Sequence, residues 1–100
     1  MNVTIQSIHF DADRRLIGFI ESKCQKLAQF FENVVDVQVY LRLEKNKSIG
    51  NKVVEIKALV PGSSLVATQQ CPSFEEATDK AVEQVRRQLL KYKERQSAAA

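Results

Sequence analysis

Arg86, Arg87, Lys91, Lys93 and Arg95 place five cations in ten positions of the stretch EQVRRQLLKYKERQ, residues 83–96, against only Glu83 and Glu94. Just upstream, SFEEATDK reverses the balance, with Glu75, Glu76 and Asp79 against Lys80. Ammonium and guanidinium groups at helical spacing do one kind of chemistry well: they hold a polyanion through charge-assisted contacts. At about 100° per residue, Lys80, Arg87, Lys91 and Arg95 fall within a sector of about 80° beside the apolar stripe of the helix. Dipole complementarity uses one or two cations, and Glu76–Lys80 and Glu83–Arg87 absorb others as i,i+4 pairs. What remains is like charge on one face, which repels itself unless an anion answers it.

Other reactive side chains are few. His9 stands near Asp11, a combination that could exchange protons, but no nucleophile or metal-ligand set accompanies it. Cys24 occupies an apolar helical position and reads as a small buried thiol. Cys71 precedes a proline in an expected loop. Neither cysteine has a CxxC partner and His9 is the only histidine, so no metal, cofactor or disulfide is expected. A small hydrolase on a ferredoxin-like frame would need a final strand and a glycine-rich anion loop. This chain ends in an expected helix, and residues 7–13 read SIHFDAD, without glycine. The expectation is a binding protein with no catalytic residues and no small-molecule substrate.

The elements that must position the cations follow from periodicity. Val3 and Ile5 alternate with polar neighbours, so residues 2–8 form a strand whose phase breaks near Ser7. DADRRLIGFIESKCQKLAQFFEN carries Leu16, Ile20, Cys24, Leu27 and Phe31 at helical spacing, with Asp13 as N-cap and Asn33 as a left-handed stop. Gly18 weakens this helix by roughly 1 kcal/mol relative to Ala. In DVQVYLRLEK, Val37, Val39, Leu41 and Leu43 face one way. VVEIKALV presents Val54, Ile56, Ala58 and Val60. NKSIGNK and PGSS supply turns, and LVATQQ is the last strand. Ser73 and Glu76 have capping-box spacing, and Phe74, Ala77, Ala81, Val85, Leu89 and Tyr92 line the final helix.

The order is therefore β-α-β-β-β-α. Three strands joined by short turns are antiparallel neighbours, and the first reaches the sheet through a helical crossover. The class is α+β, with two helices packed on one face of a four-stranded sheet and the other face, carrying Tyr40, Arg42, Glu55 and Lys57, left wet. One hundred residues at 44% apolar composition bound a single domain, residues 1–96, with 97–100 as a disordered tail. No apolar run is long enough to span a bilayer and no leader pattern is visible, so the expected location is cytoplasmic and no membrane partner is expected. Net charge is +3, and its placement matters more than its size.

On the first helix, Lys23 and Lys26 sit about 60° apart on one flank of the stripe, with Arg15 close by. Helices packed side by side bring both basic flanks to one surface. Without an exposed-looking tryptophan or phenylalanine, base stacking is disfavoured. The expected partner is structured RNA, read through phosphate and shape.

RLIGFIESKCQKLAQFFENVVDVQVYLRLEK and SFEEATDKAVEQVRRQLLKYKER resemble the ribosome hibernation promoting factors and ribosome-associated inhibitors, once called sigma-54 modulation proteins. The resemblance runs from Ile8 to Arg95. Its marks are K-x-x-K-L-x-x-[FY]-F at Lys23, Lys26, Leu27, Phe30 and Phe31, a V-x-L-x-x-E-K-like strand ending at Lys45, and R-Q-L-x-K-x-K at Arg87, Gln88, Leu89, Lys91 and Lys93. It implies a fold similar to double-stranded-RNA-binding domains. It also implies a site on the small ribosomal subunit near the decoding centre, where messenger RNA and A- and P-site transfer RNA are blocked and translation is repressed in stationary phase or stress. Carried onto this chain, the family's rRNA-contacting positions match Lys23, Lys26, Arg87, Lys91, Lys93 and Arg95, with Lys45 matching a basic position at the strand end. A position often basic in the family is Gln84 here, while Lys80 and Arg86 are basic where relatives are not, so both join the expected rRNA-binding set. The resemblance further implies a short form, monomeric off the ribosome, with a separate ribosome modulation factor as a potential second partner. The alternative is a general regulator that binds structured RNA unconnected with the ribosome.

Overall fold

The computed structural model describes residues 2–45 and 49–99, with side chains described through Arg95. Six elements follow in the expected order: β1 (Asn2–Ser7), α1 (Arg14–Phe30), β2 (Asp36–Leu43), β3 (Lys52–Val60), β4 (Ser63–Cys71) and α2 (Phe74–Ala99). They build a four-stranded sheet in the spatial order β1-β2-β3-β4. β1 runs parallel to β2, and both remaining pairs are antiparallel. The parallel pair requires the α1 crossover, because strands of the same direction cannot be joined by a tight turn. Both helices cover one sheet face, with Ile20, Cys24 and Leu27 of α1 and Ala77, Ala81, Val85 and Leu89 of α2 meeting Val37, Val39, Leu41, Val54, Ile56 and Ala58. The expected α+β sandwich is the observed one.

The helix starts were readable. The Asp13 carboxylate accepts from the Leu16 N–H at 2.8 Å, and the Ser73 hydroxyl accepts from the Glu76 N–H at 3.1 Å. Each satisfies a first-turn donor that has no partner inside its helix. The end of α1 differs from expectation. It stops at Phe30, with extended backbone at Phe31 whose N–H still reaches the Leu27 carbonyl. Asn33 is not left-handed: among the described residues, only His9 combines a side chain with positive φ. The chain leaves α1 extended because Phe31 and Val34 are both buried, and a left-handed turn is not needed to seat them. At the other end of the chain α2 runs to Ala99, so helix continues past the expected Gln96 boundary over residues 97–99. Alanine has the best helix propensity, and nothing there breaks the helix. Ala100 lies outside the described residues.

Three further details depart from the expectations. Cys71 is not in a loop: it is the last residue of β4 and is buried. Leu43 continues the β2 alternation yet is 41% exposed, at the end of its strand. Val53 is buried on the open sheet face, where it sits between Arg42 and Gln70 in the strand register. On the same face Arg42 lies 3.8 Å from Glu55, and Tyr40, Arg42, Glu55 and Lys57 are half-buried rather than fully wet. Pro61-Gly62 makes the β3–β4 turn, with Gly62 at φ 76°, the left-handed value a Pro-Gly type II turn requires. The expected turn after β2 falls partly outside the described residues, at 46–48.

Candidate nucleic-acid interface

Side-chain struts fix the rotation of α2 over the sheet. The Gln69 amide donates to the Gln84 side-chain oxygen at 2.6 Å, the Gln88 amide to the Val66 carbonyl at 2.9 Å, and the Tyr92 hydroxyl to the Pro61 carbonyl at 2.9 Å. These three residues tie the helix to edge strand β4 and its hairpin. Gln84, where the family pattern often has a cation, serves here as a strut. With the buried stripe facing the sheet, the cations of α2 divide into two flanks. Lys80 and Arg87 overhang a hollow shared with Gln69 and Gln84, and Lys91 and Arg95 overhang one shared with Ser63, Leu65 and Gln88, all on the β4 side. Arg86 and Lys93 face α1 instead.

The division alters the expected surface. The sector of Lys80, Arg87, Lys91 and Arg95 points away from α1, so it does not meet the α1 lysines. Lys23 and Lys26 line the cleft between the helices together with Arg86, and Lys93 lines its continuation beside Phe30 and Tyr92. Two basic flanks therefore border the crest of α2, where Glu83, Leu90 and Glu94 lie by helical spacing. Lys45 lines none of these hollows. It follows β2 at the end of the sheet where α2 begins, whereas Arg95 is roughly 30 Å further along α2 at 1.5 Å per residue.

The cations also divide by what already neutralises them. Lys23 Nζ lies 3.1 Å from Asp79 across the helix pair and 5.3 Å from the Phe19 ring centroid. Lys80 lies 3.5 Å from Glu76. Arg86 donates to both carboxylate oxygens of Glu83, at 3.0 and 2.9 Å, and Arg87 approaches the same carboxylate at 3.5 Å. The Arg86 hydrogen bonds hold the Glu83 carboxyl below its usual range, with the charges of Arg86 and Arg87 acting in the same direction, and Glu83 in turn raises Arg86. Among the described residues, Lys26, Lys91, Lys93 and Arg95 make no ion pair. These four can take an external anion without first giving up an internal one.

An aromatic missed by the sequence reading completes the cleft. Phe30, on the last turn of α1, is 72% exposed, so the expectation of no exposed phenylalanine is overturned. The sign was present in the spacing, since Phe30 is four residues after Lys26 and seven after Lys23 and therefore shares their flank. Its neighbour Phe31 is the buried one.

Among the described residues, the groups that could do acid–base or nucleophilic chemistry stand apart from one another. His9 is an exposed residue at φ 63° in the bend that follows β1, and the next residue, Phe10, stacks on Phe74 at 5.2 Å. Burial pushes the Cys24 thiol up to about 12, which leaves it protonated and unreactive. Among the described residues, no cluster of His, Cys, Asp or Glu could hold a metal ion, and no helix is long and apolar enough to cross a membrane.

Comparison with known proteins agrees with the geometry. Residues 3–97 match the family model described as sigma 54 modulation protein / S30EA ribosomal protein. A ribosome hibernation promoting factor of Azotobacter vinelandii is 30% identical over 96 residues, 96% of this chain and 86% of that one. Another, from Pseudomonas putida, is 28% identical over 98 residues, 98% of this chain and 92% of that one. Among solved structures, a ribosomal subunit interface protein from Coxiella burnetii superimposes with a TM-score of 0.83 at 19% identity, covering 93% of this chain and 98% of that one. The Thermus thermophilus Protein Y N-terminal domain gives 0.78 at 19% identity, covering 92% and 99%.

Proposed function

Because this chain belongs to the sigma 54 modulation protein / S30EA ribosomal protein family, matched over residues 3–97, we propose that it is a cytoplasmic ribosome hibernation factor. The family is one of ribosome-associated factors and not of enzymes, and this chain is accordingly no enzyme. In this reading it binds the rRNA of the small ribosomal subunit near the decoding centre. It occupies space needed by messenger RNA and by A- and P-site transfer RNA, and so represses translation in stationary phase or stress. The hibernation promoting factors from two other organisms, similar over most of their length, support the assignment. The observation that carries the RNA contact is the set of cations without internal partners, Lys26, Lys91, Lys93 and Arg95, on the two flanks of the helical layer.

The mechanism needs no covalent step. Lysine and arginine displace the counterions condensed on the RNA phosphates into solvent, and that release drives binding. Rigid helices present the charges at fixed separations, so a folded RNA with phosphates at matching separations is preferred over a flexible strand. Repression then follows from occupancy. Lys23, Lys80, Arg86 and Arg87 join the contact by exchanging a carboxylate for a phosphate. Lys45, just past the end of β2, would add a contact outside the hollows of the two flanks. Off the ribosome the chain is a monomer, and a ribosome modulation factor is a candidate second partner on the ribosome.

Cosedimentation with vacant small subunits, against an unrelated RNA duplex as competitor, tests the proposal. Retention on subunits in the presence of excess duplex is expected, together with chemical protection of rRNA around the A and P sites. Equal affinity for both RNAs, with protection far from those sites and initiation unaffected, would leave only a general RNA-binding domain.

A further inference from the structure

Phe30 raises a question that charge does not answer. A phenylalanine at 72% exposure keeps apolar surface in water that the fold could bury, as it does at the adjacent Phe31. The ring stands between two hollows of the inter-helix cleft. One holds Lys26 and Arg86 together with Asp79 and Glu83, the carboxylates that pair Lys23 and Arg86, and the other holds Tyr92 and Lys93 beside Glu32. The first hollow measures about 290 Å³ and the second about 260 Å³, below the roughly 300–1,000 Å³ typical of clefts that enclose a small ligand. The ring thus offers a face, with cations on either side, rather than an enclosure.

An aromatic face framed by cations is the arrangement that holds a single-stranded nucleotide: the base stacks, and the flanking phosphates meet the positive charges. An A-form duplex cannot use it, because its bases already stack on one another and its deep groove is closed to side chains. Resting on the reading that this chain binds small-subunit rRNA, we propose that Phe30 is a stacking platform for one unpaired nucleobase of that rRNA, a bulged or looped nucleotide whose neighbouring phosphates lie against Lys26 and Lys93. The contact accepts any base, because each has a π-face. It adds anchoring at an irregular point in the RNA that phosphate contacts along a regular helix do not provide.

The test measures equilibrium binding of the full chain to small subunits as a function of salt, for wild type and for Phe30→Ala, Phe30→Leu and Phe30→Trp. Stacking on one base is worth about tenfold or more in affinity, so Phe30→Ala and Phe30→Leu should both weaken binding on that order. The slope of log K against log salt should stay at the wild-type value, because no phosphate contact is removed. Phe30→Trp should keep wild-type affinity. The chain has no tryptophan, so the introduced indole is its only one, and its emission, read as the difference from wild type bound to the same subunits, should be quenched on binding. All variants should melt at the wild-type midpoint, the site being exposed. Wild-type affinity for Phe30→Leu would mean that apolar bulk suffices, as against a protein surface, and would overturn the proposal. An unquenched indole in a bound complex would do the same. Wild-type binding with Phe30→Ala unimpaired brings down the platform alone, whereas failure of the wild type to bind subunits brings down the hibernation reading as well.

Discussion

Two triple variants that remove the same charge should behave differently toward RNA. The first, Lys26→Ala with Lys91→Ala and Lys93→Ala, deletes cations without ion-pair partners among the described residues. The second, Lys23→Ala with Lys80→Ala and Arg86→Ala, deletes cations held at 3.1, 3.5 and 2.9 Å from Asp79, Glu76 and Glu83. Each phosphate neutralised contributes about 0.9 to the slope of log K against log salt. Losing three full contacts should lower the slope by about 2.7, so that between roughly 50 and 200 mM salt the wild type loses about 40-fold more affinity than the variant. The second variant should lose less slope. Its cations are shared with carboxylates in the free protein, and their removal leaves Asp79, Glu76 and Glu83 facing the RNA as a repulsion that lowers affinity at every salt concentration. Filter binding or sedimentation of small subunits across a salt series reads both quantities. Circular dichroism should give folded protein in both cases, since all six side chains are at least partly exposed. An unchanged slope in the first variant would remove these lysines from the interface. Equal slope losses in both would refute the argument that internal ion pairs decide which cations are available.

Other expectations concern the frame. Leu27, 3% exposed in the core, should cost about 2–5 kcal/mol as Leu27→Ala, read as a fall in the denaturant midpoint at constant m-value; a wild-type midpoint would mean that α1 does not seat this side chain in the core. Gly18→Ala should stabilise the fold by about 0.5–1 kcal/mol, because the added methyl meets nothing within 4 Å and the helical backbone gains stiffness; destabilisation in thermal melts would contradict that open space. At mildly alkaline pH, a thiol reagent should leave Cys24 unlabelled in the native protein and label it in denaturant. With the thiol pushed up to about 12 by burial, thiolate is scarce until the chain unfolds, and rapid native labelling would show that the core around it opens readily.

Local patterns determined most of the frame. Alternation in residues 37–43 and 54–60, the Asp13 and Ser73 caps and the Pro61-Gly62 turn each depend on residues within a few positions of one another, so the order β-α-β-β-β-α and both buried stripes were legible in the chain. The cationic residues were legible too, because lysine and arginine at helical spacing declare a charged flank whatever lies beneath. Which flank meets which was decided only by the tertiary structure. The rotation of α2 is set by Gln84, Gln88 and Tyr92 reaching residues 15 to 31 positions away. That rotation sends Lys91 and Arg95 over β4 and leaves Arg86 and Lys93 to face α1. Ion pairing across the helices, as between Lys23 and Asp79, depends on the same docking. So does the extent to which Phe30 stands in solvent: helical spacing puts Phe31 on the buried stripe and Phe30 on the flank of Lys26, but only the docking of α1 against α2 leaves that ring 72% exposed.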